Sequence, residues 1–229
     1  MSGTRGSSIS DIARLVDGIR QFRARHYEAG PGRMRELVDQ GQSPSVLIIA
    51  CSDSRVDPAI LTGAAPGEIF AVRNVANLVP PYQPGSSLNG TAAAIEYAVR
   101  DLEVEHVVVL GHGHCGGIKA LLNAADGSWP DRDFIGDWVS MALGACKQHV
   151  RDESAEAGRR EVPIARLKAN PDLVERASIL GSIDNLMTYP WLKARVDAGD
   201  LLLHGWWFDL ETGDLWATAP GQAQLLPVV

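Results

Sequence analysis

Two short uninterrupted apolar runs, Val46-Leu47-Ile48-Ile49-Ala50 and Val107-Val108-Val109-Leu110, each end on a polar, chemically dense segment. Runs of this length, rich in β-branched residues, predict strands buried on both faces, as in a parallel sheet. Elsewhere the period lengthens to that of helices. Ile12, Leu15, Val16, Ile19 and Phe22 keep helical spacing, with Ser8 and Asp11 placed as a capping box before them. Asp57-Pro58 opens a short helix with proline at its first position, an Ala-rich helix is predicted over 90–102, and another over 138–150. Val174, Ala177, Ile183, Leu186 and Met187 lie on a later helix that ends before Pro190. Residues 201–209 and 215–218 flank a turn at Glu211-Thr212-Gly213-Asp214 and predict a terminal hairpin. Residues 151–170 are charged and irregular, which predicts a surface insertion, and no repeat of solenoid length is present. The pattern predicts an α/β fold with a mostly parallel central β-sheet flanked by helices. A helical arm over roughly residues 1–40 precedes it and the hairpin follows, in one domain spanning 1–229.

Candidate chemistry gathers where the two apolar runs stop. In open α/β sheets functional groups sit just beyond the carboxyl ends of the strands, and both Cys-bearing segments, Cys51-Ser52-Asp53-Ser54-Arg55 and Gly111-His112-Gly113-His114-Cys115-Gly116-Gly117, fall there. Cys51, His112 and Cys115 make a Cys₂His set, which at catalytic zinc leaves a fourth tetrahedral position for water or substrate. With His112 and Cys115 three apart, one ligand leaves the strand end while the other stands at the first turn of the next helix. There the positive helix end favours a thiolate. His114 reads as a loop histidine behind the ligands, and Cys146 as a small buried hydrophobe on the 138–150 helix. A Cys51–Cys115 disulfide is disfavoured in a cytosolic setting. Gly111-x-Gly113-x-x-Gly116 is literally a dinucleotide fingerprint. Its variable positions hold His112, His114 and Cys115, and the stretch carrying Asp131 and Asp133 is polar and Pro-flanked, so no second strand ends in a ribose-binding acid. Asp53 and Arg55 stand at alternate loop positions, so an Arg fork can hold the carboxylate bidentately and keep it ionised. Two residues from Cys51, that carboxylate either orients a metal-activated hydroxide or swings in as a fourth ligand. Two thiolates and a neutral imidazole cancel the charge of Zn2+, so activity is expected to rise into the alkaline range.

Cys51-x-Asp53-x-Arg55 together with His112-x-x-Cys115-Gly116-Gly117 resembles the signature of the β-class carbonic anhydrases, zinc enzymes that interconvert CO2 and bicarbonate. The resemblance runs from about Gly41 to Trp207 and includes Pro66-Gly67-Glu68-Ile69-Phe70, Arg73-Asn74-Val75-Ala76-Asn77, Ala94-Ile95-Glu96-Tyr97-Ala98-Val99 and Leu203-His204-Gly205-Trp206. It implies Cys51, His112 and Cys115 as zinc ligands and Asp53 with Arg55 as the catalytic dyad. Gln42, Phe70 and Tyr97 match plant-type pocket residues, which in that subgroup reach the zinc of the neighbouring subunit. That implies a homodimer or dimer-based tetramer with active sites at the subunit interface and an N-terminal arm packed on the partner, although packing within the same chain accounts equally for its apolar face. Val75 joins Phe70 and Tyr97 as a candidate apolar wall for CO2, and the Gly116 N–H joins Gln42 as a donor to bicarbonate. Some bacterial members carry a regulatory bicarbonate site. Here Ile48 and Phe208 replace two of its polar residues and only Arg73 is kept, so inhibition through that site is expected to be absent, with Asp53 off the metal at rest.

Composition narrows the partners. A net charge of −7 argues against nucleic acid, which calls for a basic face. No apolar stretch approaches a membrane span, and Met1 to Ser10 carry neither a signal nor a transit peptide pattern, so a cytoplasmic protein is expected. Two alternatives accompany CO2 hydration: CS2 or COS hydrolysis on the same scaffold, and a non-catalytic zinc-stabilised interaction or redox-sensing protein. Gln42, Asp53, Arg55 and Tyr97 argue against the last, because a structural metal would not need them.

Overall fold

The computed structural model describes residues 8–85, 88–125, 132–150, 162–219, 222 and 224–229, so Met1–Ser7 lie outside the description. The chain divides into two compact units, Met1–Ser43 and Pro44–Val229. In the first, helix α1 (Ser8–Arg23) runs into a π-helical stretch (Ala24–Ala29), and α2 (Gly32–Gln40) follows. Its apolar residues Ile12, Leu15, Val16, Ile19 and Phe22 keep the expected helical spacing and are exposed.

The second unit is built on a six-stranded sheet among the described residues. Its strands are β1 (Val46–Cys51), β2 (Ile69–Asn74), β3 (His106–His112), β4 (Leu202–Phe208), β5 (Leu215–Thr218) and β6 (Leu225–Pro227), in the order β2-β1-β3-β4-β5-β6. The first four run parallel, and β5 and β6 add on antiparallel. The apolar runs behave as their composition requires, because both faces of β1 and β3 are covered. Leu47, Ile49, Val107 and Val109 join one core cluster, and Ile48, Ala50, Val108 and Leu110 form another on the opposite face. Helices α3 (Pro58–Thr62), α4 (Gly90–Glu96), α5 (Gly116–Ala124), α6 (Ile135–His149), α7 (Ile164–Ala169), α8 (Pro171–Leu186) and α9 (Pro190–Ala198) complete the unit. Asp57 caps α3 by accepting from the Ala59 and Ile60 amides, with Pro58 at the first helical position.

Several features depart from the sequence pattern, among them α9, over a stretch for which no helix is predicted. The sequence pattern does not predict β2, whose apolar part is only Ile69-Phe70-Ala71-Val72, and β6 is a three-residue strand that only its pairing with β5 defines. The expected insertion is partly helical: Ile164–Ala169 forms α7 and buries Leu167, while residues 151–161 lie outside the description. Close approach of α8 to the sheet relies on two glycines. A Cβ on Gly111 would stand 2.7 Å from Ile179 Cδ1, and one on Gly205 would stand 2.9 Å from Ile179 Cγ2. Ile179 thereby fills the space over β3 and β4 that larger residues would deny it.

Candidate metal centre

The strand order places β2 on one side of β1 and β3 on the other, so the sheet's switch point lies between the carboxyl ends of β1 and β3. Cys51 ends β1, His112 ends β3, and Cys115 is the N-cap of α5. All three are buried, and one ligand atom from each lies within 4.8 Å of the others. The two sulfurs are 4.0 Å apart. That is far beyond a disulfide bond and near the separation of about 3.8 Å that two thiolates adopt on a tetrahedral zinc ion.

The histidine is pre-set for ligation. His112 Nδ1 donates to the Gly113 carbonyl at 2.8 Å, which leaves Nε2 with its lone pair free. Nε2 is buried without a hydrogen-bond partner. An orphaned acceptor beside two converging sulfurs is the environment a soft divalent cation fits. The thiols are tightly linked. Hydrogen bonding from Cys115 lowers the pKa of Cys51 against its burial, and Cys51, followed by burial, raises that of Cys115. The pair gives up one proton readily and holds the second, and a bound cation would release both. His112 is raised overall: burial opposes its charge, but Cys51, the Gly113 carbonyl and Asp53 outweigh it.

A further donor reaches Cys51 from the turn after β2. The Ala76 amide lies 3.4 Å from Cys51 Sγ, in a turn where Ala76 and Asn77 both adopt left-handed conformations, with φ of 64° and 49°. Such conformations are costly for non-glycine residues and persist where the surroundings enforce them. Gly117 makes room for this turn, since a Cβ there would meet Val75 Cγ1 at 2.8 Å and Ala76 Cβ at 3.0 Å.

Asp53 and Arg55 form the bidentate pair that their spacing predicts. Arg55 Nε donates to Oδ1 at 2.9 Å and its NH2 to Oδ2 at 2.7 Å, and the Arg55 amide adds a bond of 3.0 Å. Arg55 holds the Asp53 carboxyl well below the usual carboxylate range. Asp53 Oδ2 lies 3.9 Å from His112 Nε2. Arg55 also donates to the His114 carbonyl at 3.1 Å, tying the two loops together. Beneath them Arg73 donates to the Cys51 carbonyl, the Asp53 carbonyl and Asp57 Oδ2 at 3.0, 2.6 and 2.8 Å. Its guanidinium therefore braces the Cys51–Asp57 loop.

The loop carrying His112 and Cys115 is backed by residues that the sequence pattern did not single out. Glu175 Oε1 accepts from the Cys115 amide at 3.0 Å, and its Oε2 accepts from Trp207 Nε1 at 3.3 Å. Burial raises the Glu175 pKa, and those two N–H groups work against the rise. The available signal was its register, because Glu175, Ser178, Ile179 and Ser182 recur at helical spacing and all are buried. His114, with φ of 56°, points away from the group and bonds Glu211 at 2.7 Å. Cys146 is buried on α6, and burial pushes its thiol up to about 11.

The residues expected on the substrate side are distributed. Val75, 36% exposed, stands beside α5, and Gly116 is exposed at the first position of that helix. Phe70 and Tyr97 pack together with ring centroids 5.9 Å apart. Phe70 is four residues back along β2 from Asn74, the residue level with Cys51. Four strand residues span about 13 Å, so Phe70 stands away from this chain's own centre. Gln42 is an exposed residue of the N-terminal unit. Two glycines of the literal dinucleotide fingerprint serve packing instead, while the third, Gly116, faces open space. Gly111 admits Ile179, Gly113 lies against the Trp207 ring, and of the two acids considered with them Asp131 lies outside the described residues.

Comparison with known proteins agrees with this geometry. Residues 46–215 match the family model described as carbonic anhydrase. A carbonic anhydrase from Synechococcus elongatus is 39% identical over 210 residues, 89% of this chain and 70% of the relative. One from Synechocystis is 37% identical over 213 residues, 90% of this chain and 70% of the relative. Among solved structures, the β-carbonic anhydrase CcaA superposes with a TM-score of 0.78 at 32% identity, covering 96% of this chain and 93% of that one. A structure of two tetrameric β-carbonic anhydrases from Sordaria macrospora gives 0.70 at 26% identity, with 92% and 100% covered.

Proposed function

This chain belongs to the β-class carbonic anhydrases, and on that premise we propose that it catalyses the reversible hydration of CO2 to bicarbonate and a proton, with Zn2+ held by Cys51, His112 and Cys115. One observation carries the reading: a buried histidine nitrogen with no other partner faces two converging sulfurs, beside a carboxylate gripped on both oxygens by an arginine. When bound, zinc supplies an acidified water as nucleophile, less acidified than at a cationic three-histidine site because two thiolates cancel its charge, so activity rises toward alkaline pH.

The chain's own residues do the rest. Asp53, kept ionised by Arg55, accepts the hydrogen bond of the attacking O–H on Oδ2 and turns an oxygen lone pair toward the carbon of CO2. Arg55 also restrains that carboxylate from collapsing onto the ligand set. The Gly116 N–H, at the start of α5, donates to one developing bicarbonate oxygen, and Gln42, like Phe70 and Tyr97, serves the site of a neighbouring subunit, where it donates to another. Val75 gives CO2 an apolar wall, and Phe70 and Tyr97 complete the wall of a neighbouring subunit's site. The separation of Phe70 from its own centre and the tetrameric relatives support a homodimer or a dimer-based tetramer. No helix among the described residues is long and apolar enough to cross a membrane. The proposed compartment is the cytoplasm, where the Cys51 and Cys115 thiols stay reduced for the metal.

Oxygen-18 exchange between labelled bicarbonate and water tests the proposal. Zinc-loaded protein is expected to accelerate loss of label in proportion to its concentration, and chelator-stripped protein is not. Full zinc occupancy without acceleration would overturn it.

A further inference from the structure

Glu175 is a carboxylate in the interior, 4% exposed, on a helix face whose other buried members are small or apolar. Neither helix formation nor the proposed reaction asks for an acid there. Its two oxygens are both spent behind the candidate metal loop. Oε1 accepts from the amide of Cys115, and Oε2 from the indole of Trp207. Cys115 stands at the N-cap of α5, so no intrahelical carbonyl is in reach of its amide. Without Glu175 a buried donor on a ligand residue would lose its partner. Trp207 in turn underlies Gly113, where a Cβ would stand 3.4 Å from the ring, and the Arg176 guanidinium stacks 4.2 Å over that indole. His112 is tied into the same loop through the Gly113 carbonyl.

We propose that Glu175 is a positioning residue of the metal centre: it joins the Cys115 amide to the Trp207 indole and so holds the His112–Cys115 loop in its ligating shape. The inference rests on the reading that Cys51, His112 and Cys115 bind the metal. α8 then serves as the rigid element against which two of the three ligands are aligned. Glu175 touches neither substrate nor the reacting atoms, and acts through the backbone of Cys115.

Cobalt titration of the full-length chain tests this, read by thiolate-to-cobalt charge transfer and by the d–d bands that report tetrahedral geometry. Glu175→Ala is expected to weaken Co2+ binding by about 10- to 100-fold and to shift the d–d bands, as losses behind a ligand do. Glu175→Gln keeps an oxygen for the Cys115 amide but turns an amide N–H toward Trp207, and is expected to restore part of the affinity. Leu186→Ala, elsewhere on α8 and in the core, serves as a control that lowers the melting temperature but leaves the spectrum unchanged. Wild-type affinity and spectrum in both Glu175 variants would overturn the inference even if both melt earlier. If Glu175→Ala does not fold, wild-type binding by Glu175→Gln alone overturns it. A wild-type chain lacking the charge-transfer band would instead overturn the metal reading, and this inference with it.

Discussion

His204 shows how a single side chain sets a pH limit away from the metal. Its Nε2 lies 3.2 Å from Nδ1 of His106 on the adjacent strand, and burial, with the charge of His106 adding to it, lowers its pKa. The unfolded chain takes up this proton near pH 6.5, the folded chain only below that, so between the two values the unfolded state binds more protons. Stability therefore falls as pH drops through about 6.5. Thermal melts across this range are expected to show a steeper acid loss for the wild type than for His204→Gln, and equal slopes would contradict the assignment. Arg73 is the contrasting residue. The family resemblance implies it only as the one retained member of a regulatory anion site found in some bacterial members, whereas its three hydrogen bonds to the Cys51–Asp57 loop give it a bracing role in this chain.

At the scale of elements, α5 and the turn after β2 divide the labour of two adjacent glycines. Gly116 faces open space, whereas a side chain on Gly117 would drive into Val75 and Ala76, whose amide serves Cys51. Gly116→Ala is expected to be tolerated. Gly117→Ala should cost about 1–3 kcal/mol of stability by overpacking and lower metal affinity as well, read by denaturant melts and metal competition. The same elements show what sequence can and cannot display. β1, β3 and the candidate ligands at their ends are legible because unbroken apolar runs name buried strands and the chemistry follows in sequence. β2 and β6 are not, since each is short and defined by its neighbours rather than by its own pattern. Glu175 and Trp207 escaped for a related reason. They are 60 and 92 residues from Cys115, and only the packing of α8 and β4 against the ligand loop reveals what they hold.

At the scale of the whole molecule, the N-terminal unit leaves Ile12, Ile19 and Phe22 exposed on α1, more apolar surface than an isolated helix keeps without a partner. The proposed homo-oligomer predicts that a second copy covers that face. Sedimentation of the wild type is expected to give a dimer or tetramer, and Ile19→Glu with Phe22→Glu to shift it toward monomer. A wild-type chain that sediments as a monomer would contradict the assembly and the placement of Phe70 and Tyr97 in a neighbour's site. The central claim is that two strand ends and one helix start build a zinc centre for CO2 hydration, with Asp53 orienting the nucleophile. The most direct test is stopped-flow CO2 hydration by zinc-replete protein from mildly acidic to alkaline pH, beside Asp53→Ala with the same zinc content. Fast turnover that rises with pH and falls by about 10²- to 10⁴-fold in the variant is the predicted result. Zinc-replete wild-type protein that is inactive throughout, or a variant as fast as the wild type, would contradict it.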